Sequence, residues 1–238
     1  MATSTADARK AFSACVLFRG LAQEELTALI SRAHVKQYAP GETIFLMGSP
    51  GDSMMAVLSG SIRISIPSPE GKEIVLTVLH PGEILGEIAL LDGKGRSADA
   101  RAMNETSYLA VLNRRDVMSF LDRHPRAWSA LVEVLCERLR RTDEQFIEVA
   151  FLQVPIRLAK AMLRLTDQHT DAKLRSEIHL SQRELGSMIG ATRESVNKCL
   201  GDWQQRGVVR IEGSAIKIRN REALDDLAEL TDVKPSFD

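Results

Sequence analysis

The sequence predicts an α+β protein: an antiparallel β-barrel or sandwich first, one long dimerisation helix next, and a winged helix-turn-helix last. Three observations predict it. From Val35 onward, short stretches rich in β-branched and aliphatic residues alternate with Gly, Pro and Asp turns, as in an antiparallel all-β region. From Pro125 to Ala150, apolar residues recur at alternating spacings of four and three, which is the seam of a coiled coil. Beyond Pro155, a capping box and a glycine-punctuated helix pair precede two short strands.

Composition limits what such a chain does. Its 238 residues suffice for one large or two ordinary domains, and its hydrophobic (44%) and charged (26%) fractions are those of a soluble globular protein. No apolar run approaches the roughly 18 residues of a membrane span, and Met1 to Lys10 lacks the apolar core of a signal peptide, so a cytoplasmic protein that avoids membranes is expected. Cys15, Cys136 and Cys199 form no CxxC or Cys/His cluster, and the five histidines are scattered, so no metal, haem or iron–sulfur site is signalled. No GxSxG, HExxH or Walker motif appears, which argues against an enzyme. The net charge of -1 is uneven: residues 155–221 hold 13 Lys/Arg against 7 Asp/Glu, which suits a polyanion partner for that block or an ordinary solvated face.

In chain order, residues 1–14 read as a disordered start and 15–123 as the β-domain. Within it, Leu21 to Arg32 suits an amphipathic helix with Glu24 and Glu25 in its first turn. Strands are expected at Thr43–Leu46, Met54–Leu58, Ser61–Pro67, Glu73–Leu79 and Thr106–Leu112. Ile62, Ile64 and Ile66 alternate with Ser61, Arg63 and Ser65, so one face of that strand should be wet. A short helix, Arg115 to Asp122, leads into the dimerisation helix, 124–152. Its seam is Trp128, Val132, Leu135, Leu139, Thr142, Phe146 and Val149, and a single narrow apolar stripe most economically meets its own copy. Arg138, Arg140, Arg141, Glu144 and Glu148 fall off the seam, while Thr142 puts a hydroxyl on it with Asp143 beside it. Residues 153–221 then form the helix-turn-helix domain, and 222–238 an acidic tail.

Two segments carry chemistry. In the first, Gly86-Glu87-Ile88-Ala89-Leu90-Leu91-Asp92-Gly93-Lys94-Gly95-Arg96-Ser97-Ala98, a glycine opens a short helical turn whose free N–H groups suit an anion, and Arg96 and Ser97 return with donors fitted to phosphate oxygens. Glu87 would repel an anion unless it accepts from a hydroxyl, such as a ribose 2'-OH, or pairs with Arg96. A Glu87–Arg96 surface salt bridge on an ordinary loop is the alternative. In the second, Ser181-Gln182-Arg183-Glu184 is a capping box that starts a helix to Ile189, Gly190 allows a tight turn, and Thr192 caps a helix from Arg193 to about Gln205. Val208–Ile211 and Ala215–Ile218 read as a wing.

The first segment resembles the phosphate-binding cassette of the cyclic-nucleotide-binding domain, and Pro40-Gly41-Glu42, Gly48, Gly51-Asp52, Ser59-Gly60 and Gly71-Lys72-Glu73 resemble that family's turns. The likeness extends from Phe18 to Arg219, into the cyclic-AMP receptor protein/fumarate-nitrate regulator (Crp/Fnr) group of bacterial transcription regulators. It implies a jelly-roll-like nucleotide-binding barrel and a homodimer bound to palindromic double-stranded DNA, with RNA polymerase as a further partner. Cyclic AMP and/or cyclic GMP would be the allosteric effector. Carried over by position, Glu87 is the ribose ligand, Gly86 a backbone contact beside Ile88 and Ala89, and Arg96 with Ser97 the phosphate ligands. Thr142 and Asp143 would approach the base, Asp143 replacing a serine, with Thr77 a further candidate for base selectivity. On DNA, Arg193 and Glu194 match the family's base-reading pair, Lys198 replaces an arginine and Asn197 a glycine, and Ser181, Gln182, Arg183, Thr192 and Ser195 are further candidate contacts. The resemblance leaves open a relative active without ligand or tuned to another effector. A nucleotide-binding regulatory subunit of an enzyme or channel is opposed by the helix-turn-helix.

Overall fold

A computed structural model describes residues 23–68, 73–167, 176–213 and 215–229. Two compact units divide between Leu139 and Arg140.

In the first unit, helix α1 (Gln23–Ile30) precedes strands β1 (His34–Tyr38), β2 (Thr43–Phe45), β3 (Ser53–Ser59), β4 (Ile62–Pro67), β5 (Glu73–Leu79) and β6 (Ile84–Leu85). Helix α2 (Glu87–Asp92), strands β7 (Asp99–Ala102) and β8 (Ser107–Asn113), helix α3 (Arg114–Arg123) and helix α4 (Pro125–Phe151) follow, α4 crossing the division. The strands form two antiparallel four-stranded sheets, ordered β1-β8-β3-β6 and β2-β7-β4-β5. This is the antiparallel barrel or sandwich that the turn-punctuated sequence predicts, in the jelly-roll-like form that the family resemblance implies. One core joins Tyr38, Val57, Ile62, Leu79, Ala100 and Leu109. The other joins Met54, Ala56, Leu90 and Leu112 to Val117, Phe120 and Leu121 of α3 and to Ala127 and Leu131 of α4.

The expected wet face of β4 is corrected by the structure: Ser65 is buried. The β4–β5 register shifts between Ile64 and Ser65, where β5 has Leu76 as an extra residue, and such a bulge interrupts strict in-out alternation.

The second unit holds the rest of α4, then α5 (Val154–Asp167), β9 (Glu177–Ile178), α6 (Gln182–Ile189), α7 (Arg193–Gln205), β10 (Val209–Glu212), β11 (Ala215–Ile218) and α8 (Arg221–Glu229). Strands β10 and β11 form an antiparallel hairpin that β9 extends. The expected acidic tail from residue 222 is also corrected, because its first part is α8, packed on α5. Leu224 is fully buried, the Asn220 side chain accepts from the Ala223 N–H at 3.0 Å, and Arg221 bonds Asp167 at 2.5 Å. The amphipathic spacing of Leu224 and Leu227 outweighs the acidic composition. The expectation for residues 1–14 lies outside the described residues.

Candidate functional site

The cassette is built around a left-handed glycine. Gly86 caps α2 at φ +82°, and a Cβ there would lie 2.2 Å from Nη1 of Arg96, so both conformation and space require glycine. Arg96 is only 4% exposed. Its Nη1 donates to the Ser53 carbonyl at 2.7 Å and the Gly86 carbonyl at 3.0 Å, and its Nη2 to Ser53 Oγ at 2.8 Å. The guanidinium stacks over Phe45 at 4.4 Å. Its neighbours within bonding reach are thus neutral, and its buried Nε makes no hydrogen bond. Among the described residues no carboxylate forms an ion pair with it. Burial lowers its pKa, and the more distant charges of Asp52, Glu87 and Tyr38 oppose that shift.

Glu87 is buried as well, so the cassette carries no Glu87–Arg96 surface bridge. Its Oε1 accepts from Nη1 of Arg138, whose Nη2 donates to the Ile84 carbonyl. That pairing resolves the electrostatic difficulty seen in the sequence, because Arg138 compensates a carboxylate that would otherwise repel an anion at Arg96. The second oxygen, Oε2, is buried without a hydrogen-bond partner. Sequence reading placed Arg138 only off the seam. Its spacing from Glu87, 51 residues, gives no local signal.

Of the other cassette residues, Ala89 is buried on α2, while Ile88 on the same helix and Ser97 in the loop after it are exposed. Thr77 is half-buried on β5 opposite Ile64, its hydroxyl 3.5 Å from the Val78 carbonyl. Thr142 and Asp143 are exposed on the part of α4 that belongs to the second unit. Along the seam, Val132, Leu139 (62%), Phe146 (74%) and Val149 are exposed, and Leu135 is half-buried. Trp128 differs: it packs with Val134 against the first unit's own core.

The helix-turn-helix follows from local chemistry. Ser181 Oγ accepts from the Glu184 N–H at 3.2 Å while the Glu184 carboxylate accepts from the Ser181 N–H at 2.8 Å. Gly190 ends α6 at φ +62°, and a Cβ on Gly186 would lie 2.7 Å from the Ala191 carbonyl, so the turn passes directly over Gly186. Thr192 caps α7 by accepting from the Ser195 N–H at 3.1 Å. Ser181, Thr192 and Ser195 are therefore occupied in capping. Val196, Leu200 and Trp203 are buried, which leaves Arg193, Glu194, Asn197 and Lys198 exposed together on the opposite side of α7. Gln182 is half-buried and Arg183 exposed at the start of α6.

Comparisons with known proteins agree with this geometry. A cyclic nucleotide-binding domain model matches residues 35–149, and a Crp-like helix-turn-helix domain model matches residues 156–227. The CRP-like cAMP-activated global transcriptional regulator of Mycobacterium tuberculosis is 32% identical over 211 residues, covering 87% of this chain and 94% of that protein. The chain belongs to the Crp/Fnr family. The cyclic AMP receptor protein of Thermus thermophilus is 33% identical over 212 residues, covering 89% and 96% of the two chains. The solved T. thermophilus catabolite activator protein superposes with a TM-score of 0.53 at 32% identity, covering 90% and 98%. This Crp/Fnr member is thus a DNA-binding transcription regulator that carries a cyclic-nucleotide-binding domain. No helix among the described residues is long and apolar enough to cross a membrane, and none of their His, Cys, Asp and Glu side chains cluster as a metal site would require.

Proposed function

We propose that the protein is a homodimer whose DNA binding is switched by a cyclic nucleotide held by Gly86, Glu87, Arg96 and Ser97. The carrying observation is Arg96, a buried guanidinium bonded only to neutral acceptors and therefore suited to an entering anion. Glu87 supports the same reading, since its unpartnered buried Oε2 suits a ribose hydroxyl that donates. Arg138 is added to the site as the residue that orients and neutralises Glu87.

Cyclic AMP is the first candidate, because the M. tuberculosis relative is cAMP-activated by name. Thr142 and Asp143 would meet the base. Asp143 favours cyclic GMP as a second ligand, because an ionised carboxylate only accepts and guanine offers adjacent N1–H and N2–H donors. The exposed apolar stripe Val132, Leu139, Phe146 and Val149 supports pairing of α4 with a second copy. A two-fold dimer with Arg193, Glu194 and Lys198 on exposed α7 faces suits a palindrome with half-sites about 34–36 Å apart. A thousandfold switch in DNA affinity needs about 4 kcal/mol of differential binding, within the reach of several phosphate, ribose and base contacts.

Titration calorimetry against cyclic AMP and cyclic GMP, with DNA binding measured with and without each, tests the proposal. Binding of at least one nucleotide that tightens DNA binding is expected. DNA binding indifferent to both would replace the proposal with a regulator that needs no cyclic nucleotide.

A further inference from the structure

The last turns of α4 carry a second face, distinct from the exposed seam. Arg141, Gln145 and Glu148, and Leu152 just past the helix end, recur at spacings of four, three and four and are less exposed than Phe146 and Val149 beside them. Glu148 is 9% exposed, although the sequence places it simply off the seam. Arg164 of α5 holds its carboxylate as a fork, Nη1 to Oε1 at 2.6 Å and Nη2 to Oε2 at 3.0 Å, and Lys160 Nζ lies 4.0 Å away. Nearby, the buried Arg157 approaches the Val149 carbonyl through Nη1 at 3.5 Å, while its Nε has no hydrogen-bond partner. A Cβ on Gly190 would lie 3.6 Å from Val149 and 3.8 Å from Arg157 Nη1. The end of α4 therefore reaches both α5 and the turn between α6 and α7, all within the second unit.

We infer that the Glu148–Arg164 ion pair is the positioning element through which contacts at Thr142 and Asp143 reach the helix-turn-helix. The inference rests on the proposed base contact of those two residues. Thr142 and Glu148 sit six residues apart on one continuous helix, about 9 Å along its axis. An apolar contact between α4 and α5 would tolerate sliding, but a forked pair on a buried carboxylate favours one geometry, and displacing it strands Glu148 away from its half-exposed cations. Motion at the end of α4 is thereby imposed on α5, which packs on both α6 and α7.

The test uses full-length protein with Glu148→Gln, compared with wild type in two titrations: cyclic AMP without DNA, and a duplex carrying the preferred palindrome with and without saturating cyclic AMP. Nucleotide affinity is expected to stay within about threefold, while the nucleotide's effect on DNA affinity falls by about tenfold or more. Arg164→Lys, which keeps the charge and loses the fork, should lie between, and Glu148→Arg combined with Arg164→Glu should restore part of the effect. A folded Glu148→Gln protein that responds like wild type, or that merely melts earlier with the response intact, overturns the inference. If Glu148→Gln does not fold, Arg164→Lys decides by the same criterion. Wild type blind to both cyclic nucleotides refutes the pocket reading and the coupling with it, whereas a responsive wild type with indifferent variants refutes the coupling alone.

Discussion

Replacing Arg96 by Ala should separate ligand binding from stability. Its three hydrogen bonds, each involving a charged donor, contribute roughly 1.5–3 kcal/mol apiece, and removing the guanidinium from water costs several kcal/mol, so the two sums nearly offset. Truncation leaves a void and takes the guanidinium away from the Ser53 carbonyl and hydroxyl, while the Gly86 carbonyl keeps the Leu90 N–H, so the destabilisation should be about 2–4 kcal/mol. A domain of ordinary stability, about 5–15 kcal/mol, survives that. The nucleotide loses more. A forked, charge-assisted contact to phosphate contributes roughly 3–6 kcal/mol, so Kd should rise by two to four orders of magnitude. Calorimetry with cyclic AMP reads the first quantity and urea unfolding the second. Affinity within about tenfold of wild type in the folded Arg96→Ala protein would remove the phosphate from Arg96 and refute the pocket assignment.

Gly86→Ala forces a side chain into the left-handed region, at about 1–2 kcal/mol, and into Nη1 of Arg96, so urea unfolding should show a loss of that order and calorimetry a weaker nucleotide. Phe146→Glu places a charge on the most exposed apolar seam residue and should abolish the proposed self-association in sedimentation analysis, with little change in each unit's own packing. Glu194→Ala should flatten preference at one base pair, by about 1–3 kcal/mol, in a binding-site selection; equal weakening on all sequences would make Glu194 structural. In the wing, a hydrogen bond from Lys217, reinforced by Arg210 and Arg219, holds the Glu212 pKa below the ordinary glutamate range. Its stabilising effect is present above the unfolded value of about 4.3 and disappears as pH falls through the lower folded value. Thermal melts on acidification should therefore decline less in Glu212→Gln than in wild type.

Features with local causes were legible in the sequence. The capping box at Ser181–Glu184, the αL glycine at 190 and the cap at Thr192 each act over three or four residues, so type and spacing suffice. Strands β3, β4, β5 and β8 announced themselves by aliphatic runs between turns. Strand β1 did not, because of its five residues only Tyr38 is buried, and β6, with two residues, offers no period to read. In the cassette, Gly86, Glu87 and Arg96 stood out by spacing, whereas Arg138 and Glu148 looked like solvated charges. Their ion pairs are made with Glu87 and Arg164, partners 51 and 16 residues away, and helical periodicity carries no information at that range. Ser65 was misplaced for a related reason, since a bulge belongs to a pair of strands and not to one.

The pairing of β1 with β8 sets an order of events during synthesis. His34 finds Val111 as its partner, and β3, buried at nearly every residue, also pairs with β8. At roughly 5–20 residues per second, β1 therefore waits about 4–15 s on the ribosome before the strand that closes its sheet has emerged. Until β6 and then β8 emerge, the run Met54 to Leu58, apolar at every position, lacks its partners in the sheet. The nascent β-domain is thus exposed to aggregation before α4 is made, whereas the capping contacts of the helix-turn-helix join residues three apart and wait for no distant partner.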